Sequence, residues 1–404
     1  MHILLIPSWY KTEKEPFMGT FFEEQARALI KLGHKVGIIF PEFSSLGNYF
    51  SGKDDTNEFY VDEGLPTYTV HVQSKIPKLR KLSYWTFGWV VNKTFEEYVE
   101  KYGKPDLFHA HSLFFGGIAA YYIAKEHKIP LVVTEHLTAF IMGTINNKDD
   151  RQLSREIFSK VDAALIVSNN FKSDLQKELS LKKDTFRVVH NMVADLFFEK
   201  FYPKALLPDD EFIFFTNSFL LPRKNHRLIF DALKILVEKK YKVKLRVGGD
   251  GPLMGELKAY AKNEGIEKNI KFIGGIIRLQ VKQELDNCHA FLLASFYETF
   301  GVVLIESLAC GRPVIATDSG GPRDFVNEKN GIIVPEFSAH KLAAAMEKVI
   351  KNYSNYDQQA ISKYCFDNFN EMRIATELEK IYDEVLAKRK DSTLVHQTGS
   401  LLNT

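Results

Sequence analysis

Cysteine is scarce in this chain of 404 residues: there are three, Cys288, Cys310 and Cys365. They are scattered, so neither a disulfide framework nor a metal-binding spacing arises, and a reducing, cytosolic setting is expected. No apolar run reaches the roughly 18 residues that a spanning helix needs. The opening run Met1 to Ile6 stops at Pro7 and lacks a basic start, so it does not read as a signal segment. An excess of one charge is also missing. Lys and Arg number 53 against 51 Asp and Glu, a net +2, which gives no argument for nucleic acid as a partner. There is no internal repeat. What is present is 45% hydrophobic residues, enough for large cores, in a chain too long for one ordinary domain. Two domains of about 200 residues are the natural expectation.

Short apolar runs alternate with helical periodicity. In the first half, strands are predicted at 2–6, 35–40, 67–72, 107–110, 131–134, 163–167 and 186–190, and helices at 21–32, 116–127 and 151–161. In the second half, strands are predicted at 212–216, 242–248, 270–273, 290–294, 313–317 and 331–334, with helices between them. After Pro335 the pattern is helical to about Arg389. Such alternation predicts α/β architecture with parallel, doubly wound sheets. The stretch from Asp195 to Asp210 lacks a period and is the expected linker. The expected boundaries are 1–200 and 201–370 for two Rossmann-like domains, 371–390 for a C-terminal helix, and 391–404 for a polar, disordered tail.

The segment from Ser295 to Pro322 carries the most chemistry. A buried strand at 290–294 leads into a polar loop with Glu298. Gly301 stands at a helix start, the helix carries Glu306 and it stops near Gly311. A second strand ends in Asp318-Ser-Gly-Gly-Pro322. Two strand ends, a helix N-terminus and a Gly-Gly turn thus face one crevice. Amide N–H groups at a helix start suit phosphate. Carboxylates suit sugar hydroxyls, which donate hydrogen bonds. Glu298 and Glu306, with seven residues between them, can bracket a ligand lying across the helix start. The plainer reading makes Glu306 a buried, paired carboxylate and Glu298 a helix cap. No Asp-x-Asp sits in a metal-binding context, so no metal is expected to be required, and protein cations and amide dipoles must meet the charge of a departing diphosphate.

Glu298 and Glu306, followed by Gly311-Arg-Pro-Val-Ile-Ala-Thr-Asp-Ser-Gly-Gly-Pro322, resemble the EX7E region of the retaining GT-B enzymes of glycosyltransferase family 4. The resemblance extends to 247–252, 222–226 and 272–275, and in the first half to 16–19, 106–111 and 133–136. It is specific for the family in this order and spacing, and not for a substrate. It implies two facing Rossmann-like domains with an interdomain cleft and a C-terminal helix crossing back to the first domain. It implies a retaining transferase that moves a hexose-type sugar from a UDP- or GDP-linked donor, without metal or other cofactor, to a glycan or polyprenyl-linked acceptor. Bacterial cell-surface polysaccharide synthesis is the implied setting.

By the same resemblance Glu298 stands beside the donor hexose and Glu306 accepts from the ribose diol. Phe300, Gly301, Val302 and Val303 offer N–H groups to sugar and phosphate, with Gly301 expected to be glycine because the ligand approaches closely. Lys224 matches the family lysine on the diphosphate. The arginine usual about five residues earlier is missing, with Ser218 and Phe219 in its place, and Arg223 or Arg227 could compensate. Gly249 and Gly251 form a turn near the nucleobase or a simple tight turn. Gly19 matches the loop glycine that touches diphosphate and acceptor, and His136 the histidine near the donor's 6-hydroxyl. His109 and His111 could hold a metal, but no third ligand is evident, so a structural or acceptor-side role is expected.

The acceptor is less legible. The basic and aromatic stretch from Lys75 to Trp89 is expected either to lie on an anionic membrane, making the protein peripheral on the inner face, or to pack on its own domain. Two other functions use the same features: a GT-B nucleotide-sugar epimerase, and a non-catalytic sugar-nucleotide or glycan-binding protein.

Overall fold

The computed structural model describes residues 1–12, 18–44, 58–73, 80–207 and 209–401. The chain forms two compact units. One comprises Met1–Val167, Lys172–Val189 and the chain from Ile374; the other comprises Ser168–Phe171 and His190–Arg373. Apart from Ser168–Phe171, the chain enters the second unit at His190, eleven residues before the expected start at 201.

The first unit is built on a sheet in the order β3-β4-β2-β1-β5-β6-β7-β8. These strands are β1 (His2–Pro7), β2 (Lys35–Ser44), β3 (Glu58–Asp62), β4 (Leu65–Gln73), β5 (Leu107–His111), β6 (Leu131–Glu135), β7 (Ala163–Ile166) and β8 (Phe186–Val188). All neighbours are parallel except β3, which runs antiparallel to β4. β5 and β6 are buried along their whole length, as strands covered on both faces must be, and hence read as unbroken apolar runs. β3 alternates instead: Phe59 and Val61 are exposed, and no strand was predicted there. Arg27 ties this edge down, pairing with Asp62 at 2.5 Å and Glu63 at 2.8 Å.

Helices α1 (Thr20–Lys31), α2 (Arg80–Tyr102), α3 (Ile118–His127), α4 (Lys148–Lys160) and α5 (Asn169–Leu179) connect these strands. The predicted helix at 116–127 is a wider turn over Leu113–Gly117 followed by α3. α1 buries Phe22, Ala26, Ala28 and Leu29 on one stripe.

The second sheet has the order β11-β10-β9-β12-β13-β14 and is wholly parallel. Its strands are β9 (Phe212–Asn217), β10 (Val243–Gly248), β11 (Ile270–Gly274), β12 (Ala290–Leu293), β13 (Val314–Thr317) and β14 (Gly331–Val334). Helices α6 (His226–Glu238), α7 (Met254–Asn263), α8 (Arg278–Asn287), α9 (Val302–Ala309), α10 (Ala339–Lys351) and α11 (Gln358–Phe369) intervene. Phe212, Phe214, Leu245, Leu292 and Ile315 from the sheet and Leu233, Leu236 and Met346 from α6 and α10 share one core.

The stretch expected to be a linker is fastened to this unit. Phe197 is buried, and Lys204 exchanges hydrogen bonds with Gln358, its N–H donating at 2.8 Å and its carbonyl accepting at 2.8 Å. The final helix, α12, runs from Glu371 to Leu401. It continues through most of the segment expected to be a disordered tail, which contains no proline to end it. From Ile374 it belongs to the first unit, where Tyr382 is fully buried.

Each sheet reverses its winding once. In the first, the chain goes from β1 out to β2 and β4, then returns to β5 on the other side; in the second it goes from β9 to β10 and β11, then returns to β12. Crevices beyond the strand ends at such reversals are where open α/β sheets bind ligands. At the second reversal, the strand ends lead to Ser218–Lys224 and to Ser295–Gly301.

Candidate active site at the reversal of the second sheet

The loop after β12 is clasped to the loop after β13. Glu298 N–H donates to the Ser319 carbonyl at 2.8 Å, and Gly321 N–H donates to the Glu298 carbonyl at 2.9 Å. This backbone bridge aims the Glu298 side chain, which is buried at 7% exposure. Its Oε1 accepts from Lys224 Nζ at 2.5 Å. Burial alone would raise the Glu298 pKa; the Lys224 charge and hydrogen bond, with Arg223 nearby, outweigh it and hold the group below the usual carboxylate range. Lys224 lies in the short turn Pro222–Lys224.

α9 begins directly after this loop. Its N-cap, Gly301, has φ 101° and ψ 60°, a left-handed conformation that favours glycine. Expected to be glycine for lack of room beside a ligand, Gly301 is required by its own backbone: a Cβ there would meet Leu304 Cδ1 at 3.2 Å and otherwise nothing closer than 3.7 Å. Among the described residues, the N–H groups of Phe300, Gly301, Val302 and Val303 donate to no protein acceptor, and they gather at the positive end of the helix dipole. Gly301→Ala is expected to cost about 1–3 kcal/mol through its φ, measured as a shift of the denaturant midpoint.

Glu306 sits one turn into α9 and is 1% exposed. Its Oε1 accepts from Arg278 at the start of α8. Its Oε2 is buried with no hydrogen-bond partner. The plainer reading of a paired carboxylate thus accounts for one oxygen and leaves the other as a buried acceptor awaiting a donor. Arg278, whose guanidinium lies 4.7 Å from the Phe197 ring centre, was not singled out in the sequence; nothing in a spacing of 28 residues marks the pair.

The position of the absent family arginine is occupied by Ser218, whose Oγ lies 3.2 Å from His226 Nε2. Burial, assisted by the Lys224 charge, pushes the His226 pKa down to about 4, so no cation replaces the arginine there. The cations near Glu298 are Lys224 and Arg223. Gly249 and Gly251 crowd this same loop: a Cβ on Gly249 would fall 1.9 Å from the Ser218 carbonyl oxygen, and one on Gly251 2.8 Å from Leu220 N. Their glycine character is accounted for by backbone packing, the tight-turn alternative.

Gly19 and His136 lie in the first unit. Gly19 caps α1 with φ 64°. His136 follows β6, and its ring packs among Trp9, Phe21 and Phe22. Burial pulls its pKa down to about 3. Glu135 fastens this turn: fully buried, it accepts from the N–H groups of Leu113, His136 and Leu137 at 2.8–2.9 Å. Among the described residues no cluster of His, Cys, Asp or Glu is arranged to hold a metal, and both nitrogens of His111 already face side chains. Of the basic–aromatic stretch, 74–79 lie outside the described residues; Trp89, on α2, is 60% exposed.

The two Rossmann-like units make up the GT-B fold, and the family models and relatives that match the chain make it a glycosyltransferase. Residues 18–195 match the model of Glycosyltransferase Family 4, and residues 197–365 that of Glycosyl transferases group 1. A putative teichuronic acid biosynthesis glycosyltransferase, TuaC of Bacillus subtilis, is 26% identical over 359 residues, covering 86% of this chain and 89% of that protein. Among solved structures, a sucrose-phosphate synthase from Thermosynechococcus elongatus superposes with TM-score 0.76 at 19% identity, covering 96% of this chain and all of that one. Anabaena Alr3699/HepE, in complex with UDP and glucose, superposes with TM-score 0.70 at 17% identity, covering 94% and 98%.

Proposed function

We propose that this glycosyltransferase moves a hexose-type sugar from a UDP- or GDP-linked donor to a glycan or polyprenyl-linked acceptor, with retention at the anomeric carbon and without a divalent metal. The observation that carries this reading is the unpartnered Glu306 Oε2 beside four open N–H groups at the start of α9. A nucleotide sugar supplies both missing partners: a ribose diol donates to Oε2, and phosphate oxygens accept from the amides. Glu298 lies next to the same helix start and accepts from hexose hydroxyls. As the anomeric bond breaks, charge grows on the diphosphate. Lys224 spends one N–H on Glu298 and keeps two for phosphate oxygens, with Arg223 adding charge. Gly19 and His136 supply further donor contacts by resemblance. Retention with no assigned nucleophile points to a front-face route, in which the departing phosphate helps deprotonate the acceptor hydroxyl.

UDP and glucose in the HepE complex favour a nucleotide hexose, and the teichuronic acid biosynthesis in TuaC's name favours a glycan product. No helix among the described residues is long and apolar enough to cross a membrane; work in the cytoplasm, peripheral on the inner membrane face, suits a lipid-linked acceptor.

A panel of nucleotide sugars incubated with the protein and a chelator tests the reading. One donor is expected to release nucleoside diphosphate slowly. Silence with every donor, or release that stops on chelation, would overturn it. Glu306→Gln is expected to raise the donor KM by about tenfold, the loss of one hydrogen bond to a charged group, with kcat little changed.

A further inference from the structure

His109 and His111 end β5, and His136 follows β6, so neighbouring strands of the first unit bring three imidazoles together. Their hydrogen bonds have a direction. The Tyr382 hydroxyl lies 2.7 Å from His109 Nδ1, and no other partner for it is found among the described residues. A buried hydroxyl proton goes to the available acceptor, so His109 Nδ1 accepts. His109 Nε2 then carries the proton and donates to Thr134 Oγ1 at 2.7 Å.

The Gln25 amide, on α1, faces His109 Nδ1 at 3.4 Å and His111 Nε2 at 3.2 Å. Its carbonyl oxygen in that place would confront the His109 lone pair, whereas its NH2 group would not. Gln25 therefore donates to His111 Nε2. His111 is fully buried and its pKa is driven down by burial and then by its histidine neighbours, so it carries a single proton. That proton sits on Nδ1 and is donated to His136 Nε2 at 3.1 Å. The proton of His136 is left on Nδ1, which has no protein partner among the described residues.

We propose that Gln25 and His111 are positioning residues that hold His136 as its Nδ1–H form, presenting a neutral N–H donor to an oxygen of the bound sugar nucleotide. This rests on the donor contact proposed above for His136 by resemblance. The tautomer can be read without any donor, so failure of the two ideas is distinguishable. A wrong tautomer in the free protein sinks the relay alone, and a donor panel with no turnover sinks the transferase assignment.

Full-length protein labelled with 15N-histidine would be examined by long-range 1H–15N correlation, with His136→Asn identifying the His136 signals. The expected spectrum shows His136 protonated at Nδ1 and bare at Nε2. Gln25→Leu, close in volume, is expected to shift His136 towards the Nε2–H form and to lower kcat/KM for the donor by about tenfold, as for one hydrogen bond. His111→Leu is expected to do the same and guards against a misfolded first variant. Nε2–H in the parent protein, an unchanged tautomer in both variants, or a shifted tautomer with unchanged kcat/KM would each overturn the proposal.

Discussion

Glu298→Gln is expected to lower turnover by roughly 10²–10³-fold, comparable to removing one preorganised charge-stabilising group from an active site. Two effects combine. The amide no longer accepts strongly from sugar hydroxyls, and Lys224 loses the anion that fixes it 2.5 Å away. The lysine is only 12% exposed at its side chain, so it is left poorly solvated and unanchored. Single-turnover measurements with saturating donor separate the chemical step from binding; a fall confined to KM would contradict the role assigned. The pH dependence has a definite sign. Because Lys224 and its surroundings depress the folded pKa of Glu298, this pair's stabilisation is complete above the unfolded carboxylate value and is lost as pH falls through the lower, folded one. In Glu298→Gln that acid-side loss of stability should be smaller.

Arg312→Leu is expected to cost about 3–5 kcal/mol of stability in the second unit, because several buried carbonyls lose the donor they share and each such group left unsatisfied costs roughly 1–3 kcal/mol. Arg312 is fully buried. Its Nε donates to the Leu285 carbonyl at 2.9 Å and its Nη2 to that of Asp286 at 3.2 Å, both in the last turn of α8, where a cation also meets the negative end of the dipole. Nη1 donates to Gln358 Oε1 at 2.5 Å, and Nη2 also reaches the Tyr202 carbonyl. One guanidinium therefore joins α8, the start of α11 and the segment before β9. Leucine fills part of the volume and takes a donor from four acceptors, of which Gln358 Oε1 keeps the Lys204 N–H. Urea unfolding followed by far-UV circular dichroism measures the loss; a change below about 1 kcal/mol would mean that water replaces these donors.

Much of this architecture was legible in the chain because strands covered on both faces are short apolar runs. Those at 2–6, 131–134 and 290–294 stand out for that reason. β3 escaped because an edge strand need bury only one face, and its Glu-Phe-Tyr-Val-Asp alternates. α5 escaped because its stripe is narrow: Phe171, Leu175 and Leu179 are buried, and every other position is polar or charged. In the site, Glu298, Glu306 and Gly301 were legible because a loop, a helix start and a turn follow each other directly in sequence. Arg278 and Gln25 were not, since each meets its partner only through the winding of the sheet: Gln25 and His111 lie 86 residues apart. The missing arginine was visible, but that Ser218 bonds a neutral histidine was not.

The backbone bridge at Glu298 has an evolutionary corollary. Its two hydrogen bonds use only main-chain atoms, so the loop's path does not depend on which side chain stands there. Such a mounting lets selection, or an engineer, exchange the side chain proposed to meet the hexose while the neighbouring strands keep their alignment. Donor preference in this enzyme should therefore be changeable by substitutions at Glu298's neighbours Tyr297 and Thr299 without a matching loss of folding.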